Sequence, residues 1–142
     1  MITELRHTGI VVSNIERAVH FYCDLLGLKL IKDVTEESAH IDKILGLSNV
    51  RLRMVRLLSR NNIQIELLHF IKPHAESVSP PVFNLGCSHV AFTVDHLDQD
   101  YEKLVKEGIR FNCPPCLSPD GAVKYAYCQD PDGTFIELVE AL

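Results

Sequence analysis

The sequence contains two copies of one pattern, and this internal repeat constrains the fold more than any other feature. When His7 is placed on His89, the segment HTGIVVSNIERAVHFYCDLLGLKLI aligns with HVAFTVDHLDQDYEKLVKEGIRF. Each segment has a histidine, an apolar run, an amphipathic stretch, a glycine and a second short apolar run. The halves also end alike, because QIELL at residues 64–68 matches FIELV at residues 135–139. The chain is therefore expected to consist of two similar structural units.

Helix signals occur at the same place in both copies. In the first copy, Ser13 and Glu16 form a capping-box pattern, and Gly27 is placed to end the helix. In the second copy, Asp95 is the expected cap and Gly108 the expected end. Apolar residues between these limits recur at helical spacing. Each copy is thus predicted to contain one amphipathic helix after its first strand.

The remaining apolar segments predict four strands in each copy. They lie at residues 6–12, 28–33, 50–58 and 63–69, and again at residues 88–94, 109–112, 123–129 and 134–140. Residues 34–49 predict an extra helical turn or loop, and the Pro-rich stretch 111–123 predicts a surface loop. The fold class is therefore α+β, with two tandem β-α-β-β-β modules. We expect a single domain, 1–142, in which module 1–71 and module 86–142 are joined by a linker at residues 72–85.

Four potential metal ligands fall on one predicted face. Side chains alternate across a strand, and the bulkier apolar ones are expected to face the helix. The opposite face then carries His7, Glu66, His89 and Glu137. Taken singly, each is as well explained as a solvent-facing strand residue, but their matching positions in the two copies favour a shared metal site. Nitrogen and oxygen donors of this kind suit Zn²⁺, Ni²⁺, Co²⁺, Fe²⁺ or Mn²⁺.

Charge and composition exclude several classes of partner. The chain has 14 Lys and Arg against 19 Asp and Glu, which gives a formal net charge of −5. This balance argues against binding to nucleic acid or to an anionic membrane. No apolar stretch approaches the roughly 20 residues that span a bilayer, and the first residues lack the pattern of a signal peptide. We expect a cytoplasmic protein with reduced thiols.

The motif Cys113-Pro-Pro-Cys116 matches the C-x-x-C pattern of redox and zinc proteins. A zinc ribbon needs a second cysteine pair, and a thioredoxin-type site needs a helix after the first cysteine. The prolines and the following SPDG disfavour that helix. We therefore expect no functional role for this pair.

The chain resembles the vicinal oxygen chelate superfamily, which includes glyoxalases, bleomycin-resistance proteins and extradiol dioxygenases. The matching stretches are RHTGIVVSNIERAVHFYCDLLGLKL, IQIELLHF, SHVAFTVDHLDQDYEKLVKEGIRF and YCQDPDGTFIELVE. The resemblance implies that the paired modules form a cupped eight-stranded mixed sheet with the helices outside. It also implies one divalent metal ion, which holds two neighbouring oxygens of a small-molecule substrate and stabilises an enediolate or enolate.

Within the superfamily, the tetrad His7, Glu66, His89 and Glu137 is similar to the four-ligand set of the glyoxalase I, or lactoylglutathione lyase, type. The resemblance implies a metal-dependent lyase or isomerase that transfers a proton next to a metal-chelated carbonyl. By the same resemblance Glu137 is the catalytic base, with Glu66 as its partner across the metal, and the protein is a homodimer.

Two other functions on the same fold stay open at this point. One is a methylmalonyl-CoA epimerase-like isomerase, and the other is a metal-binding module that sequesters a small molecule. A carboxylate at position 66 argues against extradiol dioxygenases, which resemble this chain at only three ligand positions. Glutathione is also in doubt, because the expected arginine and asparagine contacts are replaced by Lys32 and by His69 and Phe70. Arg51 and Arg53 are either a positive strip for an anionic group or a solvated strand face.

Overall fold

The computed structural model describes residues 1–76, 81–83, 85–86 and 89–142. The chain divides into two compact units between residues 77 and 78. Residues 77–80 and 84 of the predicted linker, and residue 88 of a predicted strand, lie outside the described residues. No helix in the described ranges is long and apolar enough to cross a membrane.

The first unit is a four-stranded mixed sheet with helices. Its sheet order is β1-β4-β3-β2, with β1 parallel to β4 and the other two pairs antiparallel. A π-helical segment, His20–Leu25, continues directly from the first helix. In chain order the elements are β1 (Thr8–Val11), α1 (Ile15–Val19), β2 (Lys29–Glu36), α2 (Ala39–Leu45), β3 (Arg51–Leu58) and β4 (Gln64–Lys72).

The second unit repeats this topology. Its sheet order is β5-β8-β7-β6, again with one parallel pair, β5 with β8, and two antiparallel pairs. The elements are β5 (His89–Thr93), α3 (Leu97–Lys106), β6 (Cys116–Leu117), β7 (Val123–Gln129) and β8 (Phe135–Ala141). The predicted α+β class, with its two β-α-β-β-β modules, is confirmed.

One predicted strand, 109–112, is wrong. This segment does lie along β7, because Asn112 N donates to Tyr127 O and Gln129 N donates to Arg110 O. It forms a single bridge from Phe111 to Cys128 instead of a ladder. The chain bends at residues 112–114, and the prolines that follow have no N–H to extend the pairing. The fourth strand of this unit is the two-residue β6, inside the stretch predicted as a loop.

Both predicted helix caps are displaced by one residue. Asn14, not Ser13, caps α1, and its Oδ1 accepts the Arg17 amide at 2.8 Å. At the start of α3 the N-cap position is His96, not Asp95. The first amide of the helix, Leu97 N, donates to the Glu140 carboxylate at 2.9 Å. A side chain distant in sequence therefore accepts a hydrogen bond from one of the free N–H groups at the start of α3.

The predicted helix ends and the buried face of each sheet agree with the structure. Gly27 and Gly108 both have left-handed backbone conformations, with φ of 78° and 82°. On the helix-facing side of the first sheet, Ile10, Val12, Ile65 and Leu67 are buried. In the second unit the corresponding residues of β8, Ile136 and Leu138, are buried with Leu97 and Leu104 of α3.

The opposite face of the first sheet has its own small apolar cluster. Residues 34–49 form the end of β2 and the seven-residue helix α2, where a loop or single turn was predicted. Ile41 of α2 is buried with Val50 and Leu52, and the neighbouring apolar residues of this cluster are Met54, Leu68 and Phe70. This cluster occupies one end of the face that also carries Glu66, because Leu68 and Phe70 follow Glu66 at steps of two.

Candidate functional site

In the first unit, two of the four predicted ligands are in contact. The parallel pairing of β1 with β4 places Gly9 opposite Glu66, and His7 precedes β1 on the same face. As a result His7 Nε2 lies 3.4 Å from Glu66 Oε2. The Glu66 side chain is only 11% exposed, whereas that of His7 is 31% exposed. His7 Nδ1 is buried and has no hydrogen-bond partner among the described residues.

The second unit brings the other two predicted ligands together in the same way. Ala91 lies opposite Glu137 in the parallel pairing of β5 with β8, and His89 is two residues before Ala91. His89 Nε2 lies 3.3 Å from Glu137 Oε2. The repeat in the sequence is therefore also a repeat of one His–Glu contact, made at equivalent points of the two sheets.

These contacts have the spacing of neighbouring metal ligands. They are longer than the roughly 2.7–2.9 Å of a charge-assisted hydrogen bond. Two donor atoms that each lie about 2.1 Å from one ion, at tetrahedral to octahedral angles, are about 3.0–3.4 Å apart. The residues present therefore fit a divalent ion. Within the described ranges no group of three or more His, Cys, Asp and Glu side chains is placed to hold a metal, so the four-ligand set stays a prediction.

Arg56 holds Glu66 from the other side and was missed by sequence reasoning. It lies directly opposite Glu66 in the pairing of β3 with β4. Its Nε and Nη2 both donate to Glu66 Oε1, at 3.2 and 2.8 Å. The two oxygens of Glu66 thus have separate tasks, since Oε1 binds a guanidinium and Oε2 faces His7.

Tyr127 takes the place of Arg56 in the second unit. It lies opposite Glu137 in the pairing of β7 with β8. Its hydroxyl is 3.4 Å from His89 Nε2, and the two rings are 5.3 Å apart in an edge-to-face arrangement. Burial, followed by the charge of Glu137 and a hydrogen bond with it, raises the pKa of Tyr127. The phenol therefore stays protonated at neutral pH and is available as a hydrogen-bond donor.

The two His–Glu pairs are consequently alike in themselves and differ in their neighbours. Both units supply an imidazole and a carboxylate at matched positions. The carboxylate of the first unit is anchored by a cation, whereas that of the second unit lies beside a neutral phenol. This difference separates two glutamates that the repeat alone makes equivalent.

Comparison with known proteins identifies the family. Residues 4–138 match the family model described as Glyoxalase/Bleomycin resistance protein/Dioxygenase superfamily. The chain belongs to this superfamily. A solved structure of a glyoxalase family protein from Bacillus cereus superposes with a TM-score of 0.91 at 24% identity, covering 100% of this chain and 96% of that one.

Two further proteins are similar to this chain. A probable lactoylglutathione lyase from Synechocystis is 26% identical over 139 residues, which is 96% of this chain and 94% of the relative. A fosfomycin resistance protein from Listeria monocytogenes, solved with Mn(II) and a sulfate ion, has a TM-score of 0.68 at 17% identity and covers 100% of this chain and 95% of that one.

The two arginines considered as a positive strip are already paired within this superfamily fold. Arg53 is bound bidentately by Asp33, at 3.0 and 2.8 Å, and its Nη1 donates to Glu16 at 2.6 Å. Arg51 lies 3.6 Å from Glu37. Arg53 is also an odd number of residues from Arg56 in the same strand, so the two point to opposite faces. Of these three arginines, Arg56 is the one that binds the Glu66 carboxylate.

Proposed function

We propose that this superfamily member is a divalent-metal-dependent lyase or isomerase of the glyoxalase I type. The observation that carries the proposal is the pair of His–Glu contacts at ligand spacing, 3.4 Å in one unit and 3.3 Å in the other. The residues that would hold the ion are His7, Glu66, His89 and Glu137. The relative named as a probable lactoylglutathione lyase supports the same class of reaction.

When bound, a divalent cation would supply Lewis acidity, which would make a carbon-bound proton next to a carbonyl easier to remove. Glu137 acts as the base that takes this proton and returns it to the substrate. His89 contacts Glu137 at 3.3 Å. The neutral hydroxyl of Tyr127 interacts with Glu137 through a hydrogen bond. Glu66, unlike Glu137, is held in a fixed position, because two N–H groups of Arg56 bind one of its oxygens.

The proposed substrate is a small molecule with two adjacent oxygens, one of them a carbonyl. The proposal includes one ion per chain, held by modules 1–71 and 86–142 of a single domain, and a homodimer in the cytoplasm. Four cysteines, Cys23, Cys113, Cys116 and Cys128, are free thiols, which supports a reducing environment.

The test combines metal loading with isotope exchange. Purified protein would be loaded separately with Ni²⁺, Co²⁺, Zn²⁺ or Mn²⁺ and supplied with hemithioacetal or acyl-CoA substrates in deuterated water. We expect Glu137→Gln to lower deuterium incorporation by about a hundredfold or more, the usual contribution of a general base. Metal content, measured in parallel, separates loss of the base from loss of the ion. Undiminished exchange in a metal-loaded Glu137→Gln protein would remove Glu137 from this role.

A further inference from the structure

The second unit carries two exposed thiols that the proposed reaction does not use. Cys113 and Cys116 are the exposed cysteines among the four free ones that the structure describes. The chain bends at residues 112–114, which include Cys113. Cys116 Sγ donates to the carbonyl oxygen of Pro114 at 3.3 Å, so the Cys116 side chain folds back toward Cys113. A hydrogen-bonding interaction with the Cys116 thiol then raises the pKa of Cys113.

Cys116 lies at the edge of the sheet face that carries Glu137. Cys116 begins β6 and is directly opposite Tyr125 of β7. Directly opposed residues of two strands place their side chains on the same face. Tyr125 shares its face with Tyr127, two residues on, and therefore with Glu137 opposite Tyr127. Cys116 is thus on the site side of the second sheet, at its outer strand, and Cys113 precedes it by three residues.

The other described cysteines lack these features. Cys128 is buried, and burial raises the pKa of its thiol to about 12. Cys23 is partly buried, and burial also raises the pKa of its thiol. Thiol exchange requires an accessible thiol that can ionise, and a second thiol within reach completes it. Within the described ranges, Cys113 and Cys116 meet the requirement for a nearby partner.

We propose that Cys113 and Cys116 are a dithiol modification site, which exchanges with low-molecular-weight disulfides and closes to an intrachain disulfide. In the first step one cysteine thiolate attacks a sulfur of the small disulfide, which releases one small thiol and leaves a mixed disulfide. In the second step the other cysteine attacks the protein sulfur of that mixed disulfide and releases the second small thiol. The two cysteines lose two electrons and two protons, and the small disulfide gains them.

The loop geometry favours the closing step. The two prolines between the cysteines have a fixed φ, so little conformational freedom is lost when the ring closes. The folded-back position of Cys116 brings its sulfur toward Cys113 before any reaction. A helix after the first cysteine, as in thioredoxin-type sites, is not required for this exchange.

The test uses the full-length protein and cystamine as the small disulfide. After incubation and acid quenching, trypsin releases a peptide of residues 111–124, which contains Cys113 and Cys116 and no other cysteine. In the wild-type protein we expect this peptide to lose two hydrogen atoms and to retain no cystamine-derived adduct. The single variants Cys113→Ser and Cys116→Ser cannot close the ring, so we expect a retained adduct at least about tenfold more abundant than in wild type.

Cys23→Ser is the matched control, because it removes a partly buried thiol that lies outside the pair. It should close the Cys113–Cys116 ring as the wild-type protein does. Retention of the adduct on both cysteines of the wild-type peptide would overturn the proposal. So would two unmodified thiols in wild type under conditions that modify the single variants. The result does not depend on metal or on substrate, and it is therefore independent of the proposed enzymatic function.

Discussion

At the scale of single residues, Glu66 and Asp130 are the buried charged side chains of the described chain. Burial of a carboxylate is unfavourable unless it is hydrogen-bonded or paired. Asp130 is stabilised locally, because its Oδ1 accepts the amides of Asp132 and Thr134 in the turn between β7 and β8. Glu66 depends on distant residues, Arg56 on the neighbouring strand and His7 before β1. Its position is therefore fixed by tertiary structure.

Replacing Arg56 should destabilise the protein more than replacing a surface arginine on the same strand. Arg56→Met leaves Glu66 buried without its cation, and we expect a loss of about 1–2 kcal/mol, reduced from the value for a fully buried pair because Arg56 is partly exposed. Arg51→Met is the control, since its partner Glu37 is 3.6 Å away and both side chains are exposed; its loss should stay below about 0.5 kcal/mol. Urea denaturation of the metal-free proteins measures both. Equal losses would show that Arg56 does not stabilise Glu66.

The contrast between the ligands and Arg56 shows what the sequence could predict at this scale. His7, Glu66, His89 and Glu137 were predicted because the repeat marks them twice and a period of two assigns their face. Arg56 has no counterpart in the repeat, since the second unit has Tyr127 there. Its contact with Glu66 depends on the pairing register of β3 with β4, in which Leu58 is opposite Gln64 across a turn. That register cannot be read from alternation alone.

At the scale of elements, an ion-pair cluster ties one helix to two strands of the first sheet. Arg53 of β3 binds Asp33 of β2 and Glu16 of α1 at 2.6–3.0 Å. The Arg53 side chain lowers the pKa of both carboxyl groups through these hydrogen bonds. Glu16 was predicted to close a capping box with Ser13, but its carboxylate binds Arg53 and Asn14 caps the helix instead. Local sequence indicated where α1 begins. Contacts across the sheet determined which side chain caps the helix and which binds Arg53.

This cluster predicts a specific pH dependence of stability. A carboxyl group whose pKa is lowered on folding, as it is for Glu16 and Asp33, stabilises the protein above its unfolded pKa, which is about 4 for such side chains. The stabilisation is lost as the pH falls through the lower folded values. Arg53→Met removes the cause, so its urea midpoint should fall below that of wild type at about pH 7, and the gap should shrink at about pH 3. A gap that is constant or widens on acidification would contradict this assignment.

The sequence predicted least well the elements whose positions depend on strand pairing rather than on a residue pattern along the chain. Gly27 and Gly108 end their helices as expected, because a left-handed residue is a local requirement. The segment 109–112 has a strand-like composition, yet it bridges β7 only at Phe111. The edge strand β6 is two residues long and lies in a Pro-rich stretch where no period of two can be recognised. Its position is set by pairing with the edge of β7 that β8 does not occupy.

At the scale of the whole molecule, the repeat divides the four proposed metal ligands equally between the units. Each unit supplies one imidazole and one carboxylate, at 3.3–3.4 Å from each other. Catalytic metal sites in proteins usually have three or more protein ligands. Two ligands from one unit are too few for tight binding, so the proposed site requires both halves of the chain. In the proposed reaction, Arg56 and Tyr127 would give the two glutamates different tasks.

Metal binding should therefore be lost when a ligand of either unit is removed. We expect the wild-type chain to bind about one Ni²⁺ or Zn²⁺ ion, and His7→Ala and His89→Ala each to weaken binding by about a hundredfold or more. Titration calorimetry with a competing chelator measures this without any substrate. Metal should also raise the thermal midpoint of wild type, because a ligand that binds only the folded state stabilises it. Neither histidine variant should gain this stabilisation at the same metal concentration.

The control for this prediction is His20→Ala. His20 also contacts a carboxylate, Asp24, but at a hydrogen-bond distance of 2.8 Å on an exposed helical surface. Its removal should leave both the metal stoichiometry and the thermal shift unchanged. If the units bound metal separately, His7→Ala and His89→Ala would each retain one working site, and the wild-type chain would bind two ions. Such a result would contradict a shared site and would assign each His–Glu pair to an ion of its own.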